Sequence, residues 1–327
     1  MFVRPPLCFV LLAALVVTLG PLLSAQSQTA APSAPRIAPA QDSHPAVSEL
    51  IQQDVEYGKA GGEALLLDIY QPPERSSHPR PAVVLIHGGG WTNFDKSTMR
   101  GMANFLAHSG FVAVSINYRL LTANGNRWPA QLDDAQRAVR WLRANASKYN
   151  IDPAHIGAFG HSAGAQLAAL LGLVDTRENG TRGNDTRDNA TRDNSDPALA
   201  KFSSKVQAVV DVSGPTDFLT ERDADNEAFL TNFFGGDKTK AADVWRSASP
   251  ALQVTSSASP FLILQGTTDD QVPMQQAQEL YDKLRQAGVD ATLIKIEDGH
   301  TFQTSEARHR LASESLVFFS RYLMNDR

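Results

Sequence analysis

The stretch Gly160-His161-Ser162-Ala163-Gly164 sets a serine between two glycines in the pattern G-x-S-x-G. A serine hydroxyl attacks a carbonyl carbon only when a neighbouring base takes its proton and an acid holds that base in the correct tautomer. Downstream, Asp269 follows Gln265-Gly266-Thr267-Thr268, and His300 follows Glu297-Asp298-Gly299. Serine, acid and histidine in that chain order point to nucleophilic acyl transfer. Upstream, Gly88, Gly89 and Gly90 lie between His87 and Trp91. Glycine backbone can turn its N–H groups toward a ligand with no side chain in the way. One or two of these amides, with that of Ala163, would hold the negative oxygen of a tetrahedral intermediate.

Each assignment has a rival. Asp270 is adjacent to Asp269, and Asp217 also follows a strand pattern, so the acid is read as Asp269 with those two open. Only His87 and His300 end strand patterns outside the serine motif, and His87 leads into the glycine run. The base is therefore read as His300. Trp91 and Phe218 are candidate walls of a substrate pocket, against the alternative that they only pack.

The elements that must position these groups follow from hydrophobic patterning. Residues 154–159 read as a short buried strand and 163–173 as a buried Ala/Leu helix, so Ser162 sits on a strand-to-helix corner. The motif glycines let strand and helix approach, and the helix start offers free N–H groups where charge develops. Further strands are expected at 55–58, 64–70, 82–86, 111–116, 206–212, 261–264 and 291–296. Helices are expected at 97–109, 129–149, 274–287 and 305–322. Strand alternating with helix predicts an α/β fold, with a mostly parallel central sheet covered by helices on both faces. Residues 218–254 contain Phe218, Phe229, Phe233, Phe234 and Trp245 without a strand pattern, as a small cap would.

The chain has 327 residues, 42% hydrophobic and 20% charged, and a formal net charge of -5. That balance argues against nucleic acid or an anionic membrane as partner. Arg4 precedes an apolar stretch to Ala25 that reads as a secretory signal peptide, interrupted by Pro5, Pro6, Gly20 and Pro21 before it reaches spanning length. A secreted or periplasmic location is expected, with no membrane span in the mature protein. Cys8, the single cysteine, lies inside that stretch, so disulfides and thiolate metal sites are excluded from the mature protein. Residues 26–49 are Ala-, Pro-, Ser- and Gln-rich, a disordered linker, and the catalytic domain spans 50–327. Residues 176–195 are four copies of a Thr-Arg-x-Asn-like pentapeptide, read as a low-complexity surface insertion.

His87-Gly88-Gly89-Gly90-Trp91, Asn117-Tyr118-Arg119-Leu120, Trp128-Pro129-Ala130, the serine motif, Gly266-Thr267-Thr268-Asp269 with Val272-Pro273, and Gly299-His300 together resemble the α/β-hydrolase esterases. The similarity covers about residues 50–325. Its nearest groups are the bifunctional feruloyl and acetyl xylan esterase type and the hormone-sensitive-lipase-like carboxylesterases. The resemblance implies Ser162 as nucleophile, His300 as base, Asp269 as acid and the N–H groups of Gly89, Gly90 and Ala163 as oxyanion hole. It implies no metal and no organic cofactor. Its substrate would be a small-molecule or oligosaccharide ester, such as an acetylated or feruloylated polysaccharide fragment. A general small-acyl carboxylesterase and a peptidase or amidase on the same fold remain the alternatives. Gln265 departs from the family, which often has His there, and reads as structural. Oligomeric state is not legible.

Overall fold

In the computed structural model, which describes residues 50–175, 196–220 and 224–324, the apolar runs become the middle of an eight-stranded sheet. Its strands are β1 (Ile51–Ala60), β2 (Glu63–Tyr70), β3 (Arg80–Ile86), β4 (Val112–Ile116), β5 (Ile151–His161), β6 (Ala208–Val212), β7 (Phe261–Gly266) and β8 (Ala291–Ile296). The helices are α1 (Arg100–His108), α2 (Ala130–Ala144), α3 (Ala163–Leu173), α4 (Pro197–Ala200), α5 (Ala224–Phe234), α6 (Ala242–Ala248), α7 (Met274–Gln286) and α8 (Ser305–Leu323). The proposed leader, linker and pentapeptide insertion lie outside the described residues. Among those described, no helix is long and apolar enough to cross a membrane.

The strand order is β1-β2-β4-β3-β5-β6-β7-β8. β1 and β2 pair antiparallel, and β2 joins β4 antiparallel; every later pairing is parallel. A strand buried on both faces must be apolar at successive positions, which is why β3 and β4 read as unbroken hydrophobic runs. Alternate side chains then feed two cores. Val84 and Ile86 pack toward α2, α3 and α7, while Val83 and Leu85 pack toward α1 and α8.

This topology places the site. β3 pairs with β4 on one side and β5 on the other, so the chain reverses its direction of winding there. A crevice forms at such a switch point, outside the carboxyl ends of the strands. Ile86 is opposite Gly160 in the β3/β5 register, which puts the glycine run after β3 beside the serine corner after β5. β7 and β8 pair farther along the same edge, Gly266 opposite Ile296.

Several expected elements differ in extent, among them the strand expected over 154–159, which runs 151–161. β1 runs the full 51–60 rather than 55–58, because it is an edge strand whose pairing with β2 survives polar, exposed residues and register shifts around Asp54, where φ is 55°. The helix expected over 129–149 stops at Ala144, and residues 145–150 make separate turns.

Candidate active site

Ser162 occupies the corner between β5 and α3 with φ 55° and ψ -122°, a strained backbone for a non-glycine residue. Packing over-determines it. The Ser162 N–H donates to the Val212 carbonyl of β6 at 2.8 Å, and its carbonyl accepts from Ala165 and Gln166 in the first turn of α3. A Cβ at Gly160 would strike the carbonyl of Gly164, and one at Gly164 would strike the carbonyls of Ile86 and His87. Both motif glycines are therefore required by space, and the corner holds the hydroxyl at the sheet edge.

His300 reaches that hydroxyl from the loop after β8. Its Nε2 lies 2.8 Å from Ser162 Oγ, and its Nδ1 lies 2.8 Å from Asp269 Oδ2. An ionised carboxylate only accepts, so Nδ1 carries the proton and Nε2 presents its lone pair to the hydroxyl. The loop is tied down by Asp298, whose Oδ1 accepts from the Gly299 N–H at 2.7 Å and whose Oδ2 accepts from the N–H and hydroxyl of Thr304. These bonds hold the half-buried Asp298 carboxyl down at about 2.

Asp269 sits in the loop after β7, its side chain fully enclosed. Its Oδ1 accepts from the N–H groups of Gln271 (2.9 Å) and Val272 (2.8 Å), and its Oδ2 accepts from Gln265 Nε2 (2.8 Å) as well as His300. Burial raises its pKa, but the bonds from His300, Val272 and Gln271 outweigh that and hold the carboxyl below the usual range. Gln265 was legible as a departure from the family pattern; that its amide donates to the acid was not.

The rival residues go elsewhere. Asp270 is exposed. Asp217 turns back to accept from the Leu219 N–H at 2.7 Å. His87 is buried, stacks on Tyr118 at 4.3 Å and lies 2.8 Å from its neighbour Gly88's carbonyl through Nδ1; burial lowers its pKa. It supports the glycine loop from beneath.

Gly89 and Gly90 have φ of 104° and 58°, and their amides make no backbone hydrogen bond among the described residues. The Gly89 carbonyl instead accepts from Thr92 and Asn93, closing a turn that brings Asn93 onto Gly89 so closely that a Cβ there would clash. Ala163 opens α3, where a first-turn N–H has no partner within the helix. The glycine run begins against the serine: a Cβ at Gly88 would lie 3.2 Å from Ser162 Cβ.

Trp91 and Phe218, the expected pocket walls, lie among other aromatic side chains. They are 5% and 1% exposed, and they meet edge-on at 5.9 Å inside an aromatic cluster with Phe233 and Phe234. Trp91 stacks on Phe233 at 4.7 Å and donates through Nε1 to Gln166 at 3.2 Å. Large flat side chains that fill a core leave little surface to offer a ligand.

Beneath the corner, Asp211 of β6 lies opposite Gly160 and is 1% exposed. Burial pushes its carboxyl up to about 7, against the opposing pull of the Gly214 N–H. Among the described residues no group of three or more His, Cys, Asp or Glu is arranged to hold a metal ion.

Comparison with known proteins agrees with this architecture. The chain is 33% identical over 242 residues to LipM of Mycobacterium tuberculosis, covering 71% of this chain and 51% of that protein. It is 32% identical over 229 residues to Esterase LipC of the same organism, covering 68% of this chain and 52% of the relative. The chain thus spans about half the length of these curated relatives. Among solved structures, a truncated carbohydrate esterase from gut microbiota superposes with a TM-score of 0.71 at 29% identity, covering 88% of this chain and 99% of that one. The fold is that of the α/β-hydrolase esterases. The BD-FAE family model matches residues 67–284, a span that begins in β2 and takes in the glycine run, the serine corner and Asp269, and the chain accordingly belongs to the BD-FAE family.

Proposed function

We propose that the chain is a serine carboxylic-ester hydrolase. The observation that carries this reading is the hydrogen-bonded line from Ser162 through His300 to Asp269. In the first step His300 Nε2 takes the Ser162 proton as Oγ bonds to the ester carbonyl carbon. The amides of Gly89, Gly90 and Ala163 hold the resulting oxyanion, each donor contributing about 3 kcal/mol to the transition state. The imidazolium is stabilised by Asp269 and returns its proton to the departing alcohol. Water then attacks the acyl-enzyme by the same route, and the acid is released.

For the substrate, short acyl esters of polysaccharide fragments are the preferred reading, and export through the N-terminal leader suits a polymer met outside the cell. The gut carbohydrate esterase supports it, as does a bifunctional GH43-CE protein of Bacteroides eggerthii, which superposes at TM-score 0.72 and 28% identity over 85% of this chain and 38% of that one. The name of Esterase LipC supports the second reading, a general small-acyl carboxylesterase. Ser162→Ala is expected to cut p-nitrophenyl acetate hydrolysis by several orders of magnitude; unchanged turnover rejects the nucleophile. Acetate release from acetylated xylan and turnover of methyl ferulate, set beside p-nitrophenyl esters of rising chain length, separate the two substrate readings.

A further inference from the structure

His161 fills the position of the serine motif that the chemistry leaves free, yet its side chain is placed as tightly as those around it. Its Nε2 lies 2.9 Å from the backbone carbonyl oxygen of His300. A carbonyl only accepts, so this nitrogen carries the proton and donates. The two imidazole rings are 5.2 Å apart and inclined by 48°. On its other edge the ring abuts the glycine run: a Cβ at Gly88 would lie 3.1 Å from His161 Nδ1. One side chain therefore touches the serine corner, the glycine loop and the histidine loop.

Asp298 and Thr268 secure the chain just before residue 300, through the Gly299 N–H and through the Thr268 N–H to the Asp298 carbonyl at 3.1 Å. Neither bond holds the backbone of residue 300 itself. Among the hydrogen bonds of the described residues, His161 alone supplies a donor to that carbonyl. We infer that His161 is a positioning residue for the base: its N–H pins the His300 backbone so that the imidazole stays on the line between Ser162 and Asp269. The inference rests on the hydrolase reading and adds the group that sets the base's reach. Displacement of a reacting group by about 1 Å can cost on the order of 100-fold in rate, so a bond remote from substrate has leverage. Burial, and then the neighbouring His300, disfavour charge on His161 while the carbonyl bond favours it, and the net effect lowers its pKa. A neutral donor does this task without setting a second cation beside the imidazolium.

The test compares His161→Phe, which keeps a ring but has no donor, with His161→Gln, whose amide nitrogen reaches about as far as Nε2. For p-nitrophenyl acetate, His161→Phe is expected to lower kcat roughly 10- to 100-fold with KM nearly unchanged. It should slow fluorophosphonate labelling of Ser162 to the same degree, and His161→Gln should stay within about threefold of the parent. The low-field proton NMR signal of the His300–Asp269 hydrogen bond, measured on the same proteins, should weaken in Phe and persist in Gln. Equal activity in all three, or Gln as impaired as Phe, overturns the inference. If Phe does not fold, Ala takes its place against Gln. A parent protein inactive on every ester would defeat the hydrolase reading alone, since the proton signal reports positioning without turnover.

Discussion

Asp269 and Asp270 are the same side chain one position apart, and only the fold separates them. The side chain of the first is enclosed and accepts four hydrogen bonds, one from His300; the second is exposed. An amide in place of the acid favours the wrong imidazole tautomer, so Asp269→Asn is expected to lower kcat/KM by roughly 10⁴. Asp270→Asn should leave it within about twofold, as a surface change does. Steady-state kinetics of both variants on p-nitrophenyl acetate decide the matter, and the reverse order moves the acid by one residue. That Ser162, Asp269 and His300 would converge was readable because each stands where a strand pattern gives way to a turn. His161 was not, because a histidine inside a motif shows no sign of which backbone group its ring will meet. The packing of Trp91 and Phe218 was not legible for a related reason: an aromatic beside a site has the same composition whether it faces ligand or packs.

The corner between β5 and α3 shows how an element sets the position of a single hydroxyl. Gly160 has no room for a methyl group, since its Cβ would meet the backbone of Gly164 and Ala165. Gly101 in α1 faces open space, with nothing within 4 Å of a Cβ. The same substitution should therefore act in opposite directions. Gly101→Ala is expected to stabilise by about 0.5 to 1 kcal/mol through helix propensity. Gly160→Ala should destabilise by roughly 3 kcal/mol or prevent folding, through overpacking. Thermal melts of the two variants beside the parent test this, and equal melting temperatures would mean that the corner opens without cost. The buried strands and helices were legible because continuous or periodic apolar runs have few other solutions. The outer half of β1 was not, since an edge strand is held by backbone bonds that polar residues do not betray.

At the scale of the whole molecule, one buried carboxyl ties stability to pH. Asp211 has a folded pKa of about 7 against an ordinary carboxylate value in the unfolded chain. Over that interval the folded form binds the proton and the unfolded form does not, so stability falls as pH rises from about 4 to about 7 and stays reduced above. Each pH unit in the window corresponds to roughly 1 kcal/mol. Asp211→Asn keeps the acceptor for the Gly214 N–H and removes the charge, so its melting temperature should exceed the parent's by more at pH 8 than at pH 4. A gap that is the same at both values refutes this. The mostly parallel direction of the strands was implied by the alternation of elements, whereas their order, and with it a proton held under the serine corner, required knowing that β6 lies between β5 and β7.

Ser162 and His300 are 138 positions apart, and the loop bearing the histidine follows β8, the edge strand beyond β7. A nascent or refolding chain with every earlier strand in place would still hold an unreactive alcohol. Covalent capture by a fluorophosphonate would therefore keep time for the final docking event, marking only molecules whose sheet has been completed.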